Sequence, residues 1–349
     1  MLRVEDIYHA VELREGGRET KRRWLGASII GHECDFFLAA KFRAAYTETF
    51  EGRILRLFKL GQDSEQRFLD DLRAAGVEIL AYQCEIKAPG TLGHAGATTD
   101  GIVKVHGFDL PLVLELKTHS AKSFAGLKDG VRKAKPMHWA QCQFGMAVAE
   151  LPNAMYLAEN KDTSELYLEF IHADQQAQTG LLSRSIRITG GCAEPNRLTD
   201  RADDFRCKFC GLASACWGGQ LPEVRCTTCV HATAVADAGW ACDLADAVIP
   251  EDVIMRGCGE HVFLPWLVPA TVCGAGEGSV LYRLKSGVEF ANCALSAFPA
   301  VTDGDAPLVM TSSMLRAYGT AGKITRESYD AKLRQTVTDR VAAAKGAKS

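Results

Sequence analysis

Two short runs of β-branched and apolar residues, 97–105 and 110–117, are separated by His106-Gly107-Phe108-Asp109, and this stretch constrains the chain more than any other. The glycine and aspartate between the runs supply a turn, so the stretch reads as a β-hairpin. With the reversal centred on Gly107 and Phe108, Asp100 falls directly opposite Glu115. Opposed residues of an antiparallel pair share a face with Cβ atoms roughly 4.5 to 5.5 Å apart, a span that one divalent cation bridges. The strand period of two adds Lys117 to that face, while Leu112, Leu114 and Leu116 take the opposite, buried one. Three ionisable groups on an otherwise apolar hairpin are costly to desolvate unless a metal or a substrate uses them. Glu115-x-Lys117 alone would read as an ion pair on a solvated strand; the opposed Asp100 lifts it above that.

The 349 residues, 47% hydrophobic and 24% charged, are enough for a substantial core and for two or three folded units. A net charge of -3 gives no global polyanion-binding signature, so any attraction to nucleic acid must come from local basic patches. The N-terminal MLRVEDIYHAVELREGG has no signal-peptide hydrophobic core. No run of about 18 apolar residues occurs, so the expectation is a cytoplasmic protein without a membrane partner. Thirteen cysteines in a reducing compartment point to metal ligation rather than to a disulfide framework.

In chain order, the first 59 residues read as mainly helical, with Cys34 at the start of a packed helix. Leu60 to Ala75 is amphipathic through Phe68 and Leu72, closes at Gly76, and carries Glu65 near its start, within reach of the hairpin carboxylates. Val77 to Ile86 is a first strand. After the hairpin, Lys122, Lys128, Arg132, Lys133 and Lys135 form a basic loop suited to neutralising backbone phosphates. Pro136 opens a helix bearing Gln141 and Gln143, and Asn153 to Ala158 and Glu165 to Phe170 supply the remaining strands. The expected fold is α/β, with a mixed central sheet flanked by helices.

Glu65 after Gly61, Asp100 in TTDG, Glu115-x-Lys117 and Gln141 in HWAQCQFGM resemble, in order and spacing, the PD-(D/E)XK nuclease superfamily. The QCQ tract is most similar to the lambda-type phage exonucleases. Thr99 stands where the family name has proline, Glu65 where RecB-like members often have histidine, and Gly145 where those members often have an aromatic residue. The resemblance implies a restriction-endonuclease-like core that hydrolyses DNA with Mg²⁺ or Mn²⁺. It implies that Asp100 and Glu115, helped by Glu65 and the Leu116 carbonyl, hold the ion as hard oxygen ligands. Lys117 would orient or deprotonate the attacking water and stabilise developing charge, and Gln141 would position that water or Lys117. The resemblance further implies action on DNA ends in recombination or repair, a homo-oligomer as in lambda-type rings, and a recombination or annealing protein as partner. An endonuclease of restriction or junction-resolving type, and a non-catalytic iron-sulfur and zinc DNA-binding adaptor, are the alternatives.

Cys207, Cys210 and Cys216 form C-x2-C-x5-C, a spacing too compact for chance core packing and one that needs a fourth ligand. In iron-staple nucleases, which the chain also resembles, one cysteine before the core joins three after it around a [4Fe-4S] cluster, and Cys34 stands where that cysteine belongs. Zinc on the same cysteines is the alternative. A second set, Cys226-x2-Cys229 followed by Cys242 and Cys258, with His261 or His231 as further candidates, reads as a zinc-ribbon-like module too small for its own core. Cys84, Cys142, Cys192, Cys273 and Cys293 lack paired spacing and are assigned to packing. VLYRLKSGVEFANC reads as a second hairpin turning at Lys285-Ser286-Gly287, followed by a polar helical tail. The expected division is 1–217 nuclease domain, 218–269 zinc module and 270–349 hairpin and tail.

Overall fold

The structure, a computed structural model, describes residues 2–16, 24–191, 194–298 and 307–330. Cys192 and most of the expected helical tail, 331–349, lie outside the described residues. The chain divides into two compact units: Met1–Phe42, Glu48–Leu198 and Ala234–Gly239 in the first, and Arg43–Thr47, Thr199–Thr233 and Trp240–Ser349 in the second. This grouping differs from the three expected parts: the segment 199–217 belongs with the C-terminal unit rather than with the expected nuclease domain.

The first unit opens with α1 (Val4–Gly16), β1 (Leu25–Gly26), α2 (Ala27–Ile30) and α3 (Asp35–Phe42), then the long α4 (Gly52–Ala74). Strands β2 (Glu78–Lys87), β3 (Ala95–Lys104) and β4 (Leu112–His119) come next as an antiparallel run. Short helices α5 (Ala121–Phe124) and α6 (Val131–Ala134), with a 3-10 turn between them, lead into α7 (Pro136–Ala149). Strand β5 (Asn153–Asn160) lies parallel to β4, β6 (Leu166–His172) closes antiparallel to β5, and α8 (Gln175–Thr189) ends the unit's main run. The sheet is mixed, ordered β1-β3-β4-β5-β6 with β2 also on β3.

Each face of the sheet is covered for a reason legible in the residues. Leu112, Leu114 and Leu116 of β4 meet Phe68, Leu69 and Leu72 of α4 in one core. Val113, on the other face, packs with Cys142 and Met146 of α7 and with Tyr156 of β5. At Gly145 of α7 a Cβ would already be in van der Waals contact, 3.5 Å from Val113 and 3.8 Å from Thr99. An aromatic side chain has no room at that position.

The second unit is built on a four-stranded sheet of Thr271–Gly276, Ser279–Arg283, Glu289–Cys293 and Leu308–Met310, of which the middle pair is the expected hairpin at 285–287. Its core joins Leu221, Val262, Phe263 and Val268 to Tyr282, Phe290, Leu315 and Tyr329. The 218–269 stretch therefore does not stand as a module without a core. It shares one with the C-terminal hairpin, since apolar residues of both runs bury more surface together than either does alone. Among the described residues no helix is long and apolar enough to cross a membrane.

Candidate active site and cysteine clusters

The β3–β4 ladder runs Val103–Leu112, Ile102–Val113, Gly101–Leu114 and stops. Its register sets Asp100 opposite Glu115, so the two carboxylates occupy the first position where the strands part. There the Leu116 N–H donates to Asp100 Oδ2 at 2.6 Å. A residue's N–H and C=O leave a strand on the same edge, so the Leu116 carbonyl shares the gap that the ended ladder leaves. Gly101 is required by close approach: a Cβ would fall 2.9 Å from the Ala81 carbonyl oxygen.

Glu115 is 2% exposed and hydrogen-bonded to the half-buried Lys117 ammonium two residues on. Burial pushes the Glu115 carboxyl up to about 7; Lys117 opposes the shift, and the charges of Asp100 and Glu65 add to it. Asp100 is raised by burial, against the pull of Lys117 and the Leu116 N–H. Burial alone would lower the Lys117 ammonium, but the carboxylates of Glu115 and Asp100 outweigh it and hold the amine protonated.

A cavity of about 450 Å³ opens beside Asp100, with Glu65, Gln141, Tyr82 and Gln83 in its wall. Glu65 reaches it from α4 and accepts from Tyr82 Oη at 2.7 Å and from Gln83 Nε2 at 3.1 Å. Tyr82 is pushed up to about 12, first by burial and then by the Glu65 carboxylate. Gln83 holds a left-handed backbone, φ 48°, within β2, where register would set it against Asp100. Such a conformation costs a non-glycine residue about 1 to 2 kcal/mol and concentrates at functional sites. The sequence reading missed Tyr82, Gln83, Ser28 and Gln62, all lining this cavity.

Glu65, Asp100 and Gln141 share the cavity; Lys117 acts on Asp100, and Asp100 on Glu115, though neither Lys117 nor Glu115 lines it. Gln143 does a different task from Gln141: it is buried, donating to the His172 carbonyl at 2.8 Å and accepting from the Asp174 N–H at 2.9 Å. The expected basic loop is a folded run of short helical turns. In it, Arg132 pairs with Asp174 at 3.3 Å, Lys133 with Asp129 at 3.6 Å, and Lys135 donates to Ser123 at 2.6 Å. Lys122 and Lys128 are exposed. Among the described residues, no three His, Cys, Asp or Glu side chains form a ready metal-binding group as they stand.

Cys34 is buried just before α3 in the first unit, its N–H on His32 Nδ1. Cys207, Cys210 and Cys216 belong to the second unit, on consecutive turns and the short helix Ala213–Trp217. The second cysteine set is drawn together by backbone bonds. Cys226 and Cys229 close one turn, Cys229 N to Cys226 O at 3.0 Å. Cys226 N bonds Ile254 O at 3.0 Å, which brings in the segment ending at Cys258, and Asp243 N bonds His231 O at 2.8 Å, which brings in Cys242. Burial pushes Cys226 up to about 11, with Cys258, Cys229 and Cys242 adding to the shift. Cys229 is likewise raised by burial, while the N–H groups of His231 and Val262 favour its thiolate. His261 is 1% exposed, with Nε2 2.9 Å from the Arg225 carbonyl and 3.1 Å from Thr228 Oγ1.

No family model matches the chain, and no curated protein matches it. Among solved structures, LHK-Exo in complex with dAMP is similar at TM-score 0.37 and 16% identity, over 48% of this chain and 86% of that one. A second structure of LHK-Exo, an alkaline exonuclease from Laribacter hongkongensis, is similar at 0.38 and 14%, over 52% and 90%. The structure of SSO0001 is similar at 0.38 and 12%, over 61% and 95%. The side chains, not these likenesses, carry the functional reading.

Proposed function

We propose that the first unit is a Mg²⁺- or Mn²⁺-dependent nuclease that hydrolyses DNA phosphodiester bonds from ends, in recombination or repair. The observation that carries this reading is the opposition of Asp100 and Glu115 where the β3–β4 ladder ends, with Lys117 bonded to Glu115. Three carboxylates, Glu65, Asp100 and Glu115, act on one another with a single ammonium among them, and the two buried ones are raised. That all-oxygen, acid-rich donor set fits a hard divalent cation. Glu65, Asp100, Glu115 and the Leu116 carbonyl would hold the ion, which when bound supplies a Lewis acid for the phosphate and a more acidic water. Lys117 orients the attacking water and stabilises charge building on the phosphate oxygens. Gln141, one α-helical side chain in the cavity wall, holds that water by hydrogen bonding. Tyr82 and Gln83 fix the direction of Glu65.

In the second unit we infer zinc on Cys226, Cys229, Cys242 and Cys258. The donor set suits it: four thiols from three segments, with two backbone N–H groups favouring a thiolate at Cys229. His261 is engaged by Arg225 and Thr228 at Nε2 while its buried Nδ1 has no hydrogen-bond partner, so His261 and His231 stay the alternatives for the fourth position. The [4Fe-4S] cluster proposed for Cys34, Cys207, Cys210 and Cys216 rests on spacing and thiol chemistry.

Incubation of linear and covalently closed circular duplexes with the protein and Mn²⁺ tests the function. Degradation of the linear form with the circle left intact is the expected result. Cutting of the circle would turn the reading to an endonuclease, and no cleavage of either would leave a non-catalytic DNA-binding role.

A further inference from the structure

Beyond Lys117 the first unit carries five polar side chains that the proposed hydrolysis does not use. His119 stands two residues past Lys117 on β4 and so on the same face. Tyr156 lies on the neighbouring β5, Ser123 on α5, Lys135 just before α7, and His138 in the first turn of α7. Hydrogen bonds join them in one line. Lys135 Nζ reaches Ser123 Oγ at 2.6 Å, Ser123 Oγ reaches His119 Nδ1 at 3.2 Å, and His119 Nε2 and His138 Nδ1 each lie 2.9 Å from Tyr156 Oη. Tyr156 is fully buried and His119 nearly so, which makes an unmet hydrogen bond costly at the middle of the line.

The direction of the bonds follows from the lysine end. An ammonium only donates, so Ser123 Oγ accepts from Lys135. The arrangement that also uses the serine's own hydrogen sends it to His119 Nδ1. His119 then carries its proton on Nε2 and donates to Tyr156 Oη, whose hydrogen passes to His138 Nδ1. The single N–H of His138 is left at Nε2, and no described residue accepts it. Successive donors aligned in one direction polarise one another and strengthen the last.

The surroundings state what should meet that N–H. Every charge acting on His138 is positive: after burial, Lys117, His119 and Lys135 hold it down to about 3. Burial, Lys135 and Lys117 hold His119 to about 4. Both rings are neutral at neutral pH; Glu115 pairs with the Lys117 ammonium, but among the described residues no carboxylate pairs with Lys135. An anion is the group this corner lacks.

We propose that His138 Nε2–H donates to a non-bridging oxygen of a DNA backbone phosphate beside the scissile one, and that Lys135, Ser123, His119 and Tyr156 are positioning residues that fix its tautomer. The proposal rests on the nuclease reading for the identity of the phosphate. His138 would touch substrate without carrying charge, unlike the exposed lysines of the same run.

The test uses the full-length chain labelled with ¹⁵N-histidine, with His119→Gln and His138→Gln to assign the two rings among the nine. Long-range ¹H–¹⁵N spectra at pH 7 are expected to show both rings as Nε2–H tautomers; an Nδ1–H tautomer or an imidazolium at either would overturn the proposal. In an Asp100→Asn background, His138→Ala is expected to weaken duplex binding by about tenfold, the worth of one hydrogen bond to a charged group. The slope of log Kd against log salt should stay unchanged, since a neutral donor releases no counterion. Binding within twofold of the parent, or a slope reduced by about one, would also overturn it. Tautomers and binding need no turnover, so a wild-type protein that fails to cleave DNA would sink the nuclease reading separately.

Discussion

The acid site of the first unit and the cysteine set of the second reach their groupings by opposite routes. Asp100, Glu115 and Lys117 are placed by strand register and held by packing on both faces of a sheet, with leucines on one side and α7 on the other. Cys226, Cys229, Cys242 and Cys258 sit on turns and strand ends, and a few backbone hydrogen bonds bring their segments together. The first arrangement is rigid before any ligand arrives. On the zinc reading proposed above, the second would gain its rigidity from the ion, so the same class of event, metal binding, should have catalytic consequences in one unit and structural ones in the other.

The sharpest way to break that contrast is to remove the thiol-bound metals. Anaerobic purification and then iron, sulfide and zinc counts should give about four irons and about one zinc. Chelating zinc should then destabilise the second unit by about 4 kcal/mol relative to free zinc at a thousand times its Kd, read by thermal melting. A colourless protein holding only zinc would remove the cluster. Unchanged melting after chelation would show that the shared core of the second unit needs no ion.

Next in size is Leu114→Ala. Leu114 is fully buried between β4 and α4, and the loss should be about 2 to 5 kcal/mol in urea unfolding. A loss under about 1 kcal/mol would mean that the sheet face beneath Glu115 is loosely packed, contrary to the rigidity assigned to it. The smallest effect is expected from Tyr82→Phe, which removes one hydrogen bond to Glu65 and leaves that from Gln83. About 1 kcal/mol, or roughly a fivefold fall in kcat/KM, is the expected loss. No change would place Glu65 outside the metal's reach.

The same contrast explains what could be read from the residues. The hairpin register was legible to the residue, because a turn and a period of two together allow one pairing, and the leucines on the far face exclude a slip. The α4 face through Phe68 and Leu72, the start of α7 at Pro136 and the mixed character of the sheet were legible for similar reasons. Gln83 was not, because a left-handed residue inside a strand is imposed by tertiary surroundings and leaves no mark that glycine would have left. His119 lay on a face the period of two had already defined, but its partners Ser123, Tyr156 and His138 come from three other elements, a convergence that spacing does not encode. The grouping of 199–217 with the C-terminal unit was hidden for the same reason: contacts between residues far apart in the chain set it.

The most direct measurement is Mn²⁺-dependent cleavage of an end-labelled linear duplex by the wild-type protein and by Asp100→Ala, each checked for equal melting temperature. The expected result is loss of cleavage by about a thousandfold or more in the variant, with duplex binding retained. A correctly folded Asp100→Ala protein that turns over at near the wild-type rate would contradict the assignment of the site.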